Sequence, residues 1–319
     1  MKNKGVMMVL AAAVAWGLSG IGAQLFFSHY GSSPGWLVSV RMLSAGGLMI
    51  LLHGLLQGAK STFSVWTHKK DRRSLLVFGL VGMLGVQYTF FEAIDKGNAA
   101  TATLLQYLGP VFIIAYVSVQ MRRMPGGREL SAFALALIGI FLMTTGGSFG
   151  SLTMSVEAFV WGILTALAAA FYTLYPGRLV AAWGSVPVVG WSMLIGGAGL
   201  AVLHPPWTFD WSQSSLYMGG LLAFIVIIGT IIPFFLFLES LRYVTAAKAS
   251  ILSSAEPLTS VLVGMLFLHI PMDAVQLLGS LCIILTVVVL TLPSRRKEEA
   301  AEDPADSGER KGEEVRPLP

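Results

Sequence analysis

Apolar runs of about 20 residues, each ended by a short polar stretch, repeat along most of the chain. They predict ten membrane-spanning helices, at about 5–27, 34–56, 74–94, 98–120, 130–147, 156–176, 185–203, 215–238, 246–269 and 273–292. Most connections are short, so neighbouring helices should pack antiparallel. Lys2 and Lys4 before the first run imitate a secretory signal peptide. That run is about 23 residues long, whereas the apolar part of a signal is about 7–15, so it reads as a first transmembrane helix. Beyond Pro293 the pattern stops. SRRKEEAAEDPADSGERKGEEVRPLP mixes charges of both signs without apolar periodicity and reads as a disordered tail.

Composition agrees with the pattern. The 319 residues are 55% hydrophobic and 12% charged, against about 25% charged in a soluble domain. There is too little charge to cover a water-exposed surface. The net charge of +4 and the basic residues behind it do not argue for nucleic acid, because of where those residues fall. Lys2 and Lys4 precede the first span. Lys60, Lys69, Lys70, Arg72 and Arg73 lie between the second and third, and Arg122, Arg123 and Arg128 between the fourth and fifth. Arg178 follows the sixth, Arg242 the eighth, and Arg295, Arg296 and Lys297 the tenth. All of these belong to one side of the membrane, and only Lys96 lies on the other. Basic loops stay in the cytoplasm, so both termini should be cytoplasmic and the number of spans even. The expected location is the plasma or inner membrane.

The two halves of the chain resemble each other. FFEAIDKGNAATATLLQYLGP (90–110) aligns without a gap on FLESLRYVTAAKASILSSAEP (237–257), and Gly139 then falls on Gly279. Each copy holds five spans, and an odd number turns the second copy upside down. The predicted fold is thus all-α and polytopic, with ten transmembrane helices as two inverted five-helix repeats. The repeats cover residues 1–150 and 151–293, followed by a cytoplasmic tail at 294–319.

Glu256-Pro257 lies near the middle of the ninth span. A proline inside a helix removes one hydrogen bond and frees a carbonyl about one turn earlier, near Ser253. Serines can partly satisfy such a group. At about 1.5 Å per residue, Glu256 sits some 15 Å from the start of its span, near the midplane of a hydrocarbon core about 30 Å thick. It must face protein or a water-filled cavity. Pro110 is at the matching point of the fourth span. Paired interrupted helices at equal depth mark a central site.

With AAAVAWGLSG in the first span, Arg41 in the second, the repeated stretches ending in Pro110 and Glu256-Pro257, and Gly139 and Gly279, residues 5–292 resemble the EamA-type family of the drug/metabolite transporter superfamily. The resemblance implies a ten-helix carrier that exports small metabolites or amino acids. The chain departs from the family pattern in two places. Gly109 stands where an acid often precedes the first proline, and HIPMD replaces the usual Gly-Glu before the tenth span.

The candidate substrate-binding residues are Arg41, Gln87, Tyr88, Gln106, Tyr107, Glu256, Trp16, Trp161 and Tyr172. Glu256 reads either as a proton- or cation-binding acid or as a hydrogen bond that pins the broken helix. Arg41, about 10 Å inside its span, reads as a partner for a substrate carboxylate or for Glu256, or as a snorkelling side chain. Gln87, Tyr88, Gln106 and Tyr107 surround the first interruption and suit an apolar pocket with few polar groups. Trp16, Trp161 and Tyr172 are weaker candidates, as are Gln24 and Tyr175.

Other residues read as structural. Glu92 with Lys96 and Glu239 with Arg242 have the spacing of helix ion pairs. Lys248 should snorkel, and Trp207 and Trp211 should form an interfacial belt. The glycines at 79, 82, 85, 196, 197 and 199 should let helices approach closely.

The lone cysteine, Cys282, permits neither an intramolecular disulfide nor a cysteine metal site. HExxH, GxSxG and a phosphate-binding glycine loop are absent, and the five histidines are scattered. No cofactor and no catalysis are expected, and active transport would draw on a gradient. The expected partners are a small-molecule substrate and the lipid bilayer, with Glu256 as the carrier if protons are coupled. An uncoupled facilitator or pore is the alternative, followed by an intramembrane sensor or enzyme.

Overall fold

The computed structural model describes residues 2–122, 124–148, 153–209, 215–240, 243–244, 249, 252–253 and 255–291. These are 86% helical and contain no strand. The expected tail, Arg123, Trp211, Arg242 and Lys248 lie outside the described residues, as does most of 245–254.

The long elements are α1 (Lys2–Tyr30), α2 (Pro34–Gln57), α3 (Lys69–Lys96), α4 (Ala99–Gln106), α5 (Gly109–Gln120), α6 (Gly127–Thr145), α7 (Val156–Leu174) and α8 (Ser185–Ala201). They continue with α9, which starts at Leu216 and ends at Ser240, then α10 (Ala255–Phe267) and α11 (Ala274–Thr291). Among the described residues seven candidate membrane spans are long and apolar enough, with α4 and α5 counting as one. The helices α8, α10 and α11 are apolar but shorter, and they fall where the seventh, ninth and tenth spans are expected. The third span is longer than its apolar pattern suggests, because its first turn is the charged stretch Lys69–Arg73.

Polar residues at the edges of the apolar runs start the helices. Ser33, Asn98, Ser155 and Ser215 each accept a backbone N–H two or three residues into the following helix, at 2.9–3.2 Å. Such caps satisfy donors that the first turn leaves unpaired. Gln24 of α1 adds another, with its side-chain oxygen accepting the N–H of Ala99 at 2.9 Å. Outward-facing Leu51, Leu55, Leu137, Leu164 and Leu262 are exposed, as a lipid-facing surface requires.

Two stretches depart from the α pitch. Phe78–Met83 in α3 and Phe224–Ile231 in α9 are π-helical. Widened turns of this kind displace carbonyls and gather at functional sites.

The packing is built around a few partnerships. The first helix, α1, lies against α9 and α10, while α7 lies against α3, α4 and α5. In the same way α2 meets α8 and α9, α8 meets α2 and α3, α4 meets α10, and α6 meets α11. The α6/α11 crossing is close because of the two aligned glycines. A Cβ on Gly139 would stand 2.9 Å from the Gly279 carbonyl oxygen, and one on Gly279 would stand 2.8 Å from that of Gly139. Gly79, Gly196 and Gly197 likewise bring α3, α8 and α2 together.

The bundle ends differ. Near Lys96 there are two clefts, of about 290 Å³ beside Asn98, Thr101, Met143 and Gln276 and about 250 Å³ beside Tyr30, Ser33, Trp36 and Phe209. At the other end Asp71 pairs with Arg178 and accepts the Trp183 indole N–H at 3.2 Å.

Candidate functional site

The site is assembled where the broken fourth span meets α10. Pro110 cannot donate a backbone hydrogen bond, and the helix is interrupted at Tyr107–Leu108 before restarting at Gly109. That turn swings the Tyr107 ring toward α10. Its hydroxyl donates to the backbone carbonyl of Ser253 at 2.5 Å and lies 3.2 Å from Glu256 Oε2. Ser253 is four residues before Pro257, so this is the carbonyl that the proline frees. Serines were expected to satisfy it in part, but the Ser253 hydroxyl donates back to Ala249 O at 2.9 Å, and Ser254 lies outside the described residues. A phenol from the other half of the chain takes the role instead.

Glu256 is 9% exposed. It sits at the start of α10, directly under α1, where a Cβ on Gly17 would stand 2.8 Å from the Glu256 carbonyl oxygen. Ser260, one turn on, lies 3.3 Å from Thr103 Oγ1 and 3.4 Å from the Gly17 carbonyl. These hydroxyls form a polar seam between α1, α4 and α10.

Arg41 is 5% exposed and does not snorkel. Its Nε donates to Thr230 Oγ1 at 2.6 Å and its Nη2 to Gly229 O at 3.2 Å, and its guanidinium lies over the Phe91 ring at 4.8 Å. Both acceptors belong to the π-helical turn of α9, where Thr230 Oγ1 also reaches Ile225 O, five residues back. Gly229 has no side chain because Ser19 of α1 occupies that space. Arg41 and Glu256 make no ion pair, but each lies in the other's field.

The remaining candidates fall into separate neighbourhoods. Tyr88 meets the Trp161 indole edge-on at 5.8 Å and His204 at 6.2 Å. Gln87 is buried on the adjacent face of α3, and Gln106 is half-buried at the last turn of α4. Trp16 packs edge-on against Phe234 at 5.3 Å. Tyr172 stacks on Phe78 at 5.4 Å, beside the apolar cluster of Leu75, Leu179 and Val188. Gln24 caps a helix, and Tyr175 stacks on Phe171 at 4.8 Å.

The expected pairing of Glu92 with Lys96 is not formed, because Lys96 pairs with the adjacent Asp95 at 3.0 Å. The pairing of Glu239 with Arg242 lies outside the described residues. Among the described residues no cluster of His, Cys, Asp or Glu is arranged to hold a metal ion.

Thr230, Gly229, Thr103 and Ser260 belong to the site and were not singled out by sequence. A signal for the crossings was present in the dipeptides Trp16-Gly17 and Trp161-Gly162. Gly17 admits α10 against α1, and Gly162 admits Leu105 of α4 against α7.

Apolar helices enclosing buried charges and a polar seam define an integral, multi-pass membrane protein. The sequence profile of the EamA-like transporter family matches residues 3–145 and 157–292, and the chain belongs to that family. It is 43% identical over 301 residues to the uncharacterized inner membrane transporter YicL of Salmonella typhimurium, covering 94% of this chain and 99% of that protein. It is also 28% identical over 307 residues to the uncharacterized transporter YwfM of Bacillus subtilis, covering 92% and 96%. A solved crystal structure shares the fold at a TM-score of 0.60 and 20% identity, covering 93% of this chain and 100% of that one. The protein is a membrane transporter.

Proposed function

We propose that the chain is a gradient-driven secondary transporter that exports small metabolites such as amino acids, by alternating access around the Tyr107–Glu256 junction. The ten spans form two inverted five-helix repeats with both termini in the cytoplasm. The helix partnerships support this reading. Moving every helix five spans along converts the first-with-eighth-and-ninth packing into sixth-with-third-and-fourth, and the second-with-seventh-and-eighth packing into seventh-with-second-and-third. The π-helical stretches, at 78–83 and 224–231, are also related by the repeat alignment.

The observation that carries the reading is the Tyr107 hydroxyl held between Ser253 O and Glu256. A phenol has one hydrogen to give. With that hydrogen on the closer carbonyl, a protonated Glu256 completes the arrangement by donating to the phenol oxygen. Loss of the proton would leave a buried carboxylate facing Arg41. A carboxyl that exchanges a proton at the meeting point of two broken helices suits ion coupling. Arg41, Gln87, Tyr88, Gln106, Tyr107, Glu256, Trp16, Trp161 and Tyr172 are the proposed lining of the substrate path in its successive states.

The test uses purified protein in liposomes. A metabolite panel is first screened for thermal stabilisation, since a ligand that binds only the folded state raises its stability. Stabilising compounds are then assayed for flux. Saturable, trans-stimulated exchange and accumulation under a pH gradient are expected, and flux without counterflow would establish a pore instead. Accessibility labelling should find residues 98 and 243 on opposite faces of the membrane, and a common face would end the inverted-repeat reading.

A further inference from the structure

A second buried acid stands apart from the Glu256 cluster. Glu92 is 9% exposed and lies on α3 one turn from Lys96. It was expected to pair with that lysine, but Lys96 is committed to Asp95 at 3.0 Å. Among the described residues Glu92 makes no ion pair, and the Tyr88 phenol, one turn back on the same helix face, is its polar neighbour. A carboxylate held inside a membrane bundle requires a partner or a ligand.

Its surroundings are aromatic. Tyr88 and Glu92 project from the same face of α3 toward α7, where the Trp161 indole stands at 82° to the Tyr88 ring with centroids 5.8 Å apart. The His204 ring also lies 6.2 Å from that of Tyr88. Gly97 packs on Ala158 and the Ser155 hydroxyl donates to Lys96 O at 2.9 Å, which fixes the spacing of α3 and α7 beside the acid. Two aromatic rings and a carboxylate that has a phenol neighbour but no ion pair are the parts of an ammonium site. The rings attract a cation through their quadrupoles, tryptophan most strongly, and the carboxylate supplies the charge.

We propose that Glu92, Tyr88 and Trp161 form a subsite for the ammonium group of the transported molecule at the Lys96 end of the bundle. The inference rests on the transport reading and narrows its substrates to amine-bearing compounds. It separates two tasks: Glu256 exchanges protons at the centre, and Glu92 selects cationic cargo nearer one mouth.

The full chain in lipid nanodiscs is titrated with butylammonium and with tetramethylammonium, and binding is read from thermal shift and tryptophan fluorescence. Butyrate serves as the charge-reversed control. Saturable millimolar or tighter binding of at least one ammonium is expected. Glu92→Gln should weaken it tenfold or more, and Trp161→Leu about threefold to tenfold. Glu157→Gln removes a nearby surface charge and should change affinity less than twofold. If Glu92→Gln does not fold, Glu92→Asp and Trp161→Leu carry the test. Ammonium binding that ignores both positions, or no saturable binding of either cation, overturns the proposal. Absence of any flux in liposomes would count against the transport reading instead, so the two failures are distinguishable.

Discussion

The two prolines near the middle of the bundle are set in different chemistry. At Pro110 the chain turns through Tyr107–Leu108 and restarts at a glycine, with the α7 backbone close beside it. At Pro257 the preceding residue is a buried acid, and the carbonyl that the proline frees is claimed by a side chain from the first break. One interruption supplies a donor and the other supplies an acceptor and a carboxyl. Positions aligned by sequence thus carry unlike chemistry: the helix is interrupted before Pro110, whereas Leu252, Ser253 and Ala255 onward are helical around Pro257, and the carboxyl stands on one side of the pair only.

This contrast is breakable in graded ways. Glu256→Gln should have the largest effect: accumulation driven by a pH gradient is abolished while substrate exchange persists, and unchanged pH-driven uptake in liposomes refutes the coupling role. The matched Gly109→Ser has room for its Cβ, whose nearest neighbour would be the Ala166 carbonyl at 3.4 Å, and should leave flux within about twofold. Arg41→Ala, read by the same flux assay, should reduce transport by tenfold or more, because it strips the charge facing Glu256 and leaves Thr230 and Gly229 O without their donor.

Tyr107→Phe leaves the Ser253 carbonyl unmet and should cost about 1–3 kcal/mol in thermal or denaturant unfolding. Pro257→Ala sharpens the point, since it returns a backbone N–H to that carbonyl. In the Pro257→Ala background the Tyr107→Phe penalty should shrink by about 1 kcal/mol, measurable as a double-mutant coupling. A penalty equal in both backgrounds would disconnect the two breaks. Asp71→Asn should alter stability least of all, because the Arg178 end of that pair is exposed and screened by solvent, and the amide oxygen of the variant can still accept the Trp183 indole N–H.

Much of this was legible in the residues. Among the described residues the apolar runs coincide with seven candidate spans and three shorter apolar helices, because lipid demands continuous apolar length. Glu256-Pro257 stood out because an acid inside a membrane span is rare and costly, and the proline beside it removes a backbone hydrogen bond. Partner choice was less legible. Helix spacing allowed Lys96 to reach Glu92, but it also allowed Asp95, and local geometry favoured the neighbour. The Arg41 acceptors arise from a π-helical turn in α9, and no simple residue pattern announces where a helix widens by one residue. Ser253 was located as the freed carbonyl, yet its donor came from 146 residues away, beyond the reach of any local rule.

The Gly139–Gly279 crossing has a mechanical consequence. Backbone contact there holds α6 and α11 at a short, fixed spacing, with Met143 of one helix and Ile283 of the other packed beside the glycines. The crossing is a rivet rather than a hinge: it ties the fifth and tenth spans, the last of each half, into one unit. A bulky residue at either position would prise that unit apart.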